Sequence, residues 1–319
     1  WEFFTKPEAI ERFKRRLDYM VARWGHSSAL MAWEMWNEVD LVNDWDFLVT
    51  KDKFKQIIEW HRQVGSYLKK IDPYRHLVTT STSNTNQFDD IYKLKEIDFI
   101  PRHFYRETVI EDLVKQFEIQ KEFKKPYFVS EFSGGTDPRS DQKDVDGRRL
   151  HAGLWAAFMT PTAGNAMPWW WDIHVKKFGL YYHFKALSEF AKGEDRRGRD
   201  YQFLNEKVTV NLNVKVDVLG LYNRRGAYLW IHDRASLQDP TLPEAPVLPS
   251  KMQLALEGFE QGVYEIEVWD TYEGKVVGRD MKTSRQNGLL LEFDSSARDF
   301  AVKIRRADAA AKPVIQLFK

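Results

Sequence analysis

The chain has 319 residues, no cysteine and a formal net charge of +1. That length holds one large domain or two ordinary ones. The balanced charge gives no electrostatic ground for nucleic acid or an anionic membrane as partner, the lack of cysteine removes disulfide and thiolate chemistry, and no apolar run nears the roughly 20 residues of a membrane span. No signal peptide is read; because the chain starts at Trp1, its natural N-terminus is expected to have been processed or cut away. Twelve tryptophans leave two uses open: a large core, or flat faces for sugar rings, whose axial C–H bonds form an apolar surface.

In chain order, Thr5-Lys6-Pro7-Glu8 reads as a capping box with proline in the first turn. Apolar residues at Ile10, Phe13, Leu17, Met20, Val21 and Trp24 then follow helical spacing, and Gly25 is a suitable stop. Residues 30–37 are apolar and end at Asn37-Glu38, the pattern of a buried strand that delivers two polar side chains to a sheet edge. A helix is expected over 52–70, a strand over 76–81 and a polar loop over 83–86. The alternation continues with strands at 97–105 and 126–132, helices at 109–123 and 145–159, a strand at 163–171 and a last helix at about 182–191. Five strand–helix units in succession point to a parallel sheet and suggest a barrel.

The charged stretch 193–198 reads as a linker. Beyond it come strand signals only: 208–218, 227–232, 253–256, 264–269, 275–278, 289–293 and 300–304. Short strands divided by turns indicate a β-sandwich, and the four prolines of 239–249 predict an extended loop. The expected fold is therefore α/β: a partial (β/α)8 barrel over 1–197 followed by an all-β sandwich over 198–319.

Two glutamates close strands of the first part, Glu38 and Glu131. In a barrel of parallel strands both would point into one mouth, at the C-terminal strand ends. Two carboxyl groups facing each other suit a retaining glycosidase, in which one attacks the anomeric carbon and the other protonates the leaving oxygen. His103 and Tyr105 end the strand beside Glu131, and a tyrosine hydroxyl there suits the holding of a carboxylate. Asn37 is placed to bond a sugar hydroxyl next to the reacting carbon. Trp169 and Trp171 are candidates for a sugar platform, whereas alternation along a strand turns Trp170 toward the core. Glu34 lies deeper on the strand of Glu38 and is expected to pair with a buried Arg or Lys. Trp230 and Trp269 are expected in the core of the sandwich.

Trp33-Glu34-Met35-Trp36-Asn37-Glu38 resembles the acid/base strand of clan A glycoside hydrolases, and Tyr127-Phe128-Val129-Ser130-Glu131-Phe132 resembles their nucleophile strand. His103-Phe104-Tyr105 is similar to the His-x-Tyr between them in glycoside hydrolase family 5, the cellulase and mannanase family. The resemblance covers about residues 1–192. It implies Glu38 as acid/base, Glu131 as nucleophile, His103 and Tyr105 as organising residues and one of Trp169 or Trp171 as platform. It also implies strand–helix units ahead of residue 1 that are missing here. Five strands would leave open edges, so association is expected, either as a homo-oligomer or with a fragment that supplies the missing strands.

The expected activity is retaining hydrolysis of a β-1,4-glucan, with β-mannan second; the alternative is a non-catalytic carbohydrate-binding or scaffold protein. No HExxH, GxGxxG or GxxxxGK pattern is present, so neither cofactor nor metal is expected. The expected partner is a β-glucan or related polysaccharide, in an extracellular setting.

Overall fold

A computed structural model of the chain describes residues 1–42, 50–83, 86–106, 108–210, 214–234, 237, 248–249, 251–285, 288–294 and 298–307. The residues form two compact units interleaved along the chain. One comprises 1–105, 116–132 and 162–167; the other comprises 106–115, 133–161 and 168–319.

In the first unit, α1 (Glu2–Thr5) and α2 (Pro7–Trp24) precede β1 (Ala32–Glu34), α3 (Lys51–Ile71), β2 (Leu77–Thr79), β3 (Ile100–Tyr105) and β4 (Tyr127–Ser133). Proline takes the first position of α2, where its missing N–H is not needed. The expected capping box is absent: Thr5 is the last residue of α1, and Lys6 starts α2 without a side-chain cap. On α3, Phe54, Ile57, Trp60, His61, Val64 and Leu68 form one buried face, and Thr50 caps the N-terminus by accepting from the Lys53 N–H.

β1 and β2 pair in parallel, Ala32 with Leu77 through Glu34 with Thr79. The strand read over 30–37 is regular only for three residues, but the ladder continues irregularly through Met35 N–H to Thr79 O (2.9 Å), Ser81 N–H to Trp36 O (3.0 Å) and Val39 N–H to Ser81 O (3.1 Å). β2 is tied to the start of β3 by Asp98 N–H to Val78 O (2.8 Å), and β3 and β4 are hydrogen-bonded neighbours. Residues 163–167 extend the row: Ala163 N–H donates to Tyr127 O (2.7 Å) and Phe132 N–H to Met167 O (2.9 Å). Five segments therefore lie side by side in chain order. The strand read over 163–171 stops at Met167, because Trp171–Val175 turns into one turn of π-helix.

Much of the tryptophan content fills cores. Trp33 is buried and donates its indole N–H to Asp72 (3.0 Å), and Trp36 packs on Phe3 and Phe4 with ring centroids 5.1 and 4.9 Å away.

The second unit contains α5 (Arg139–Gln142), α6 (Arg148–Met159), α7 (Lys176–Phe178) and α8 (Tyr182–Ala191), then strands β5 (Gln202–Val210), β6 (Val214–Asn223), β7 (Gly226–His232), β8 (Lys251–Glu257), β9 (Gly262–Asp270), β10 (Lys275–Ser284), β11 (Gly288–Asp294) and β12 (Asp299–Arg306). α4 (Val109–Gln120) spans the chain division between the units. The single strand read over 208–218 is two strands, β5 and β6; residues 211–213 and 239–247 lie outside the described residues.

An antiparallel six-stranded sheet, in the order β10-β9-β12-β7-β6-β5, and an antiparallel ribbon of β8 and β11 share one buried core. Leu229, Ile266 and Val302 of the sheet face Leu254, Leu291 and Phe293 of the ribbon in that core. β7 is buried at every residue. Its other face, with Trp230 and His232, is covered from the side of α6, whose His151 lies 6.2 Å from the Trp230 ring. Gly274, in the turn between β9 and β10, has φ +64, and a Cβ there would meet the Ala186 backbone of α8 at 2.5 Å, so the turn needs glycine twice over. The stretch 193–198, read as a linker, is pinned: Glu194 accepts from the Tyr228 hydroxyl (2.6 Å) and Lys303 Nζ (2.8 Å) and also pairs with Arg305.

Candidate active site

Glu38, His103, Tyr105 and Glu131 are brought together in the first unit, at the ends of the row of strands. His103 is the hub. It is buried, and its Nδ1 lies 2.7 Å from Glu38 Oε1 and 3.3 Å from Glu131 Oε2. Carboxylate oxygens accept, so Nδ1 carries the hydrogen and donates it to Glu38, with Glu131 within ion-pair distance. The Tyr105 hydroxyl donates to the same Glu131 Oε2. The Tyr105 hydroxyl and the His103 ring thus converge on one oxygen of Glu131, Oε2. The side chains of Glu38 and Glu131 keep 22% and 13% of their surface, enough to be reached.

The ligating atoms of Glu38, His103 and Glu131 lie within 4.8 Å of one another. One oxygen of each carboxyl group thus comes within 4.8 Å of the other, an approach that suits a retaining pair, ~5–5.5 Å apart, better than an inverting one. The same three atoms suit a divalent cation only if the Nδ1 hydrogen leaves, because a metal needs the lone pair that it occupies.

Backbone conformation aims Glu38. Its φ and ψ are 49 and 53, the left-handed region that a non-glycine residue enters at a cost of ~1–2 kcal/mol. Glu38 N–H donates to Ser81 Oγ (2.9 Å), and Ser81 Oγ–H donates to Asn37 Oδ1 (3.1 Å). Just beyond, buried Asp40 accepts from the N–H and hydroxyl of Ser83 (2.7 and 2.6 Å). Burial pushes the Asp40 carboxyl above its ordinary range, against the lowering by Ser83.

Glu34 departs from expectation. No Arg or Lys is among its dominant neighbours, which are Ser81, His103, Glu131 and Glu38. Surrounding protein raises its proton affinity, the Ser81 hydrogen bond and His103 oppose this, and the two other carboxylates add to it. A third acidic group therefore stands below the pair. The buried cation nearby in the chain, Arg102, is taken by Asp89 (2.6 Å) and lies over the Tyr92 ring (5.0 Å).

No family model matches the chain. Over 123 residues it is 28% identical to a probable mannan endo-1,4-beta-mannosidase C of Aspergillus terreus, a stretch that is 33% of this chain and 30% of that protein. The chain thus spans under a third of the curated relative it matches. In structure it is similar to a glycoside hydrolase family 5 protein from Bacteroides vulgatus, with TM-score 0.57 and 10% identity over 94% of this chain and 68% of the other. It is also similar to a glycoside hydrolase family 30 subfamily 8 xylanase from Clostridium acetobutylicum, with TM-score 0.54 and 14% identity over 95% and 73% of the two chains. Relative and neighbours alike are glycoside hydrolases, and the fold is of their type.

The tryptophan cluster belongs to the second unit. Trp169 and Trp171 are 46% and 58% exposed, and Trp170 is half-buried with its indole N–H toward Gly135 O (3.4 Å). His174, which follows them, is buried, with Nε2 2.7 Å from Asp144 O, and has a structural role. Trp230 is buried, and Trp269 packs on Phe190 with Lys303 4.6 Å from its ring; both are spent on packing. Sequence reasoning passed over Ser81 and Asp40. The available signal was the hydroxyl run Thr79-Thr80-Ser81-Thr82-Ser83 at a strand end, too polar for simple core packing.

Proposed function

We propose that the chain is the catalytic part of a retaining β-glycoside hydrolase. The observation that carries the reading is the convergence of His103 and Tyr105 on one oxygen of Glu131, with Glu38 across from it. In this reading Glu131 Oε1 attacks the anomeric carbon while Glu38 gives its proton to the departing glycosidic oxygen. The sugar is then held on Glu131 as an ester. Glu38, now a carboxylate, takes a proton from water as that water displaces Glu131, and the starting states return. Tyr105 and His103 orient the carboxylate that attacks in the first step and stabilise it as it leaves in the second. Asn37 bonds the hydroxyl next to the reacting carbon.

Residue patterns alone put a β-1,4-glucan ahead of β-mannan. The curated relative reverses that order, and we take a β-1,4-mannan as the substrate class. The other edge of β1 has no strand partner among the described residues, and an open edge is a template for pairing. This supports association, with a second copy or with a fragment bearing further strands. No described helix is long and apolar enough to cross a membrane, and a polymeric substrate suits an extracellular enzyme.

The test is reducing-sugar release from β-1,4-mannan and from mixed-linkage β-glucan, with wild type beside Glu131→Gln and light scattering on the same samples. Release from mannan that vanishes in the variant supports the reading; release from glucan alone restores the glucanase. Sugar binding without turnover in either protein replaces the enzyme with a carbohydrate-binding protein. Proton NMR of the first anomer released should show retention.

A further inference from the structure

Ser81 grips four consecutive residues of the neighbouring segment. Its N–H donates to Trp36 O and its carbonyl accepts from Val39 N–H, while its hydroxyl accepts from Glu38 N–H and donates to Asn37 Oδ1. The first two bonds are an ordinary strand ladder. The side-chain pair is not, and it falls on the one residue of the segment in the left-handed region. Ser81 is fully buried, so without its oxygen the Glu38 N–H would lose its acceptor.

A hydroxyl has one hydrogen. Ser81 Oγ accepts from Glu38 and turns that hydrogen toward Asn37 Oδ1, with the Glu34 carboxyl as a second acceptor in reach. The carbonyl end of the Asn37 amide is thereby fixed inward and its NH2 end faces outward, where the residue is exposed. An amide held this way presents its donors to a ligand. We infer that Ser81 is the positioning residue of the site: it holds Glu38 in its left-handed conformation and sets Asn37 as a hydrogen-bond donor to the sugar hydroxyl beside the reacting carbon. The inference rests on the glycosidase reading for its substrate, but not for its geometry.

The geometry extends away from the site. Thr80, the preceding residue, donates its hydroxyl to Trp36 O (2.9 Å) and meets His61 Nε2 of α3 at 3.0 Å. The strand end that carries Asn37 and Glu38 is therefore held by two successive hydroxyls of β2's continuation, one anchored to a helix and one turned to the site.

The experiment compares wild type, Ser81→Ala and Ser81→Thr on two readouts. The first is kcat/KM on an aryl β-mannoside and on its 2-deoxy analogue. Ser81→Ala should lose roughly 10- to 100-fold more on the 2-hydroxy substrate than on the 2-deoxy one, and Ser81→Thr, which keeps the hydroxyl, should recover most of it. The second is NMR of the Glu38 backbone amide and the Asn37 side-chain amide, where Ser81→Ala should lose hydrogen-exchange protection at the first and shift the second. Equal losses on both substrates with an unmoved Glu38 amide overturn the inference. If wild type turns over no glycoside, the glycosidase reading fails and the amide measurements alone decide: unchanged protection at Glu38 overturns the role of Ser81, and lost protection sustains it. Should the alanine variant not fold, Ser81→Cys, similar in shape but a poor acceptor, is read in the same way.

Discussion

Glu131 and Asp299 stand among nearly the same set of groups. At Glu131 a tyrosine hydroxyl donates to Oε2, and the His103 ring, bonded to Glu38, lies 3.3 Å from the same oxygen. At Asp299, His151 Nε2, the Thr271 hydroxyl and the Trp230 indole meet on Oδ1, at 3.2, 2.6 and 2.8 Å. A second histidine, His183, stands 3.0 Å behind His151, and Tyr272 stacks on His151 at 4.1 Å. By residue type alone the second cluster looks the more catalytic. Access separates the two: the Asp299 and His151 side chains have no exposed surface, whereas Glu131 keeps some and faces a second carboxylate. Burial pushes the Asp299 carboxyl up, and His151, Thr271 and Trp230 together pull it below its ordinary range. That cluster offsets a buried charge and stabilises the fold.

The comparison breaks most visibly under substitution. Glu131→Gln should lower kcat by ~10⁴-fold or more, in the range seen when a nucleophile is removed, while urea denaturation of the same variant moves little. Azide should restore turnover to Glu131→Ala, because a small anion can attack where the carboxylate stood. Asp299→Ala should do the reverse. It strips three buried donors of their acceptor, and loss of one side of a buried charged network costs ~3–5 kcal/mol. Its kcat at a temperature where it remains folded should stay within a few-fold of wild type. An Asp299 variant that is stable but inactive would erase the distinction between the two clusters.

Acidity gives a subtler contrast. His61 in α3 is fully buried, and burial lowers its pKa to about 4, against about 6.5 in an unfolded chain. Between these values the unfolded chain holds the proton and the folded one does not. Stability is therefore complete above about pH 6.5 and falls as the pH drops toward 4, by ~3 kcal/mol. His183, lowered to about 3 mainly by burial, acts with the same sign in the second unit. Urea melts from pH 7 to pH 4.5 should show a slope in wild type that is shallower in His61→Gln. Equal slopes in the two proteins would mean that His61 is hydrated.

Periodicity made most of the fold legible. The helical faces of α2 and α3 and the short strands of the second unit follow it directly. The candidate site was legible because Glu38, His103, Tyr105 and Glu131 lie at or near the ends of apolar runs, and strand ends are where side chains leave the core. Three features escaped for different physical reasons. The end of the strand read over 163–171 had a sign in Pro168, which cannot donate to a ladder, but the π-helical turn over Trp171–Val175 has none in the residue pattern. The neighbours of Glu34, foremost Ser81, His103 and two carboxylates among the described residues, depend on what lies across the strands, to which a single strand is blind. The grip of Ser81 on Glu38 follows from a left-handed φ at a glutamate, a conformation that residue type argues against.

The smallest of these effects probes Tyr105. Its hydroxyl donates to the oxygen of Glu131 that the His103 ring also approaches, so Tyr105→Phe removes that donor and leaves the ring. A hydrogen bond to a charged group contributes ~1.5–3 kcal/mol. The expected loss is therefore roughly 10- to 100-fold in kcat, well short of that in Glu131→Gln. The loss should fall on kcat and not on KM, since the bond acts on the attacking carboxylate and not on the bound sugar. It should also be deeper for a substrate with a good leaving group, where departure of Glu131 from the glycosyl ester limits the rate and the Tyr105 hydroxyl stabilises the carboxylate being released. A loss confined to KM would move Tyr105 from the nucleophile to the sugar. Glu131 would then be left with the His103 ring beside it, and what sets it apart from Asp299 would be access alone.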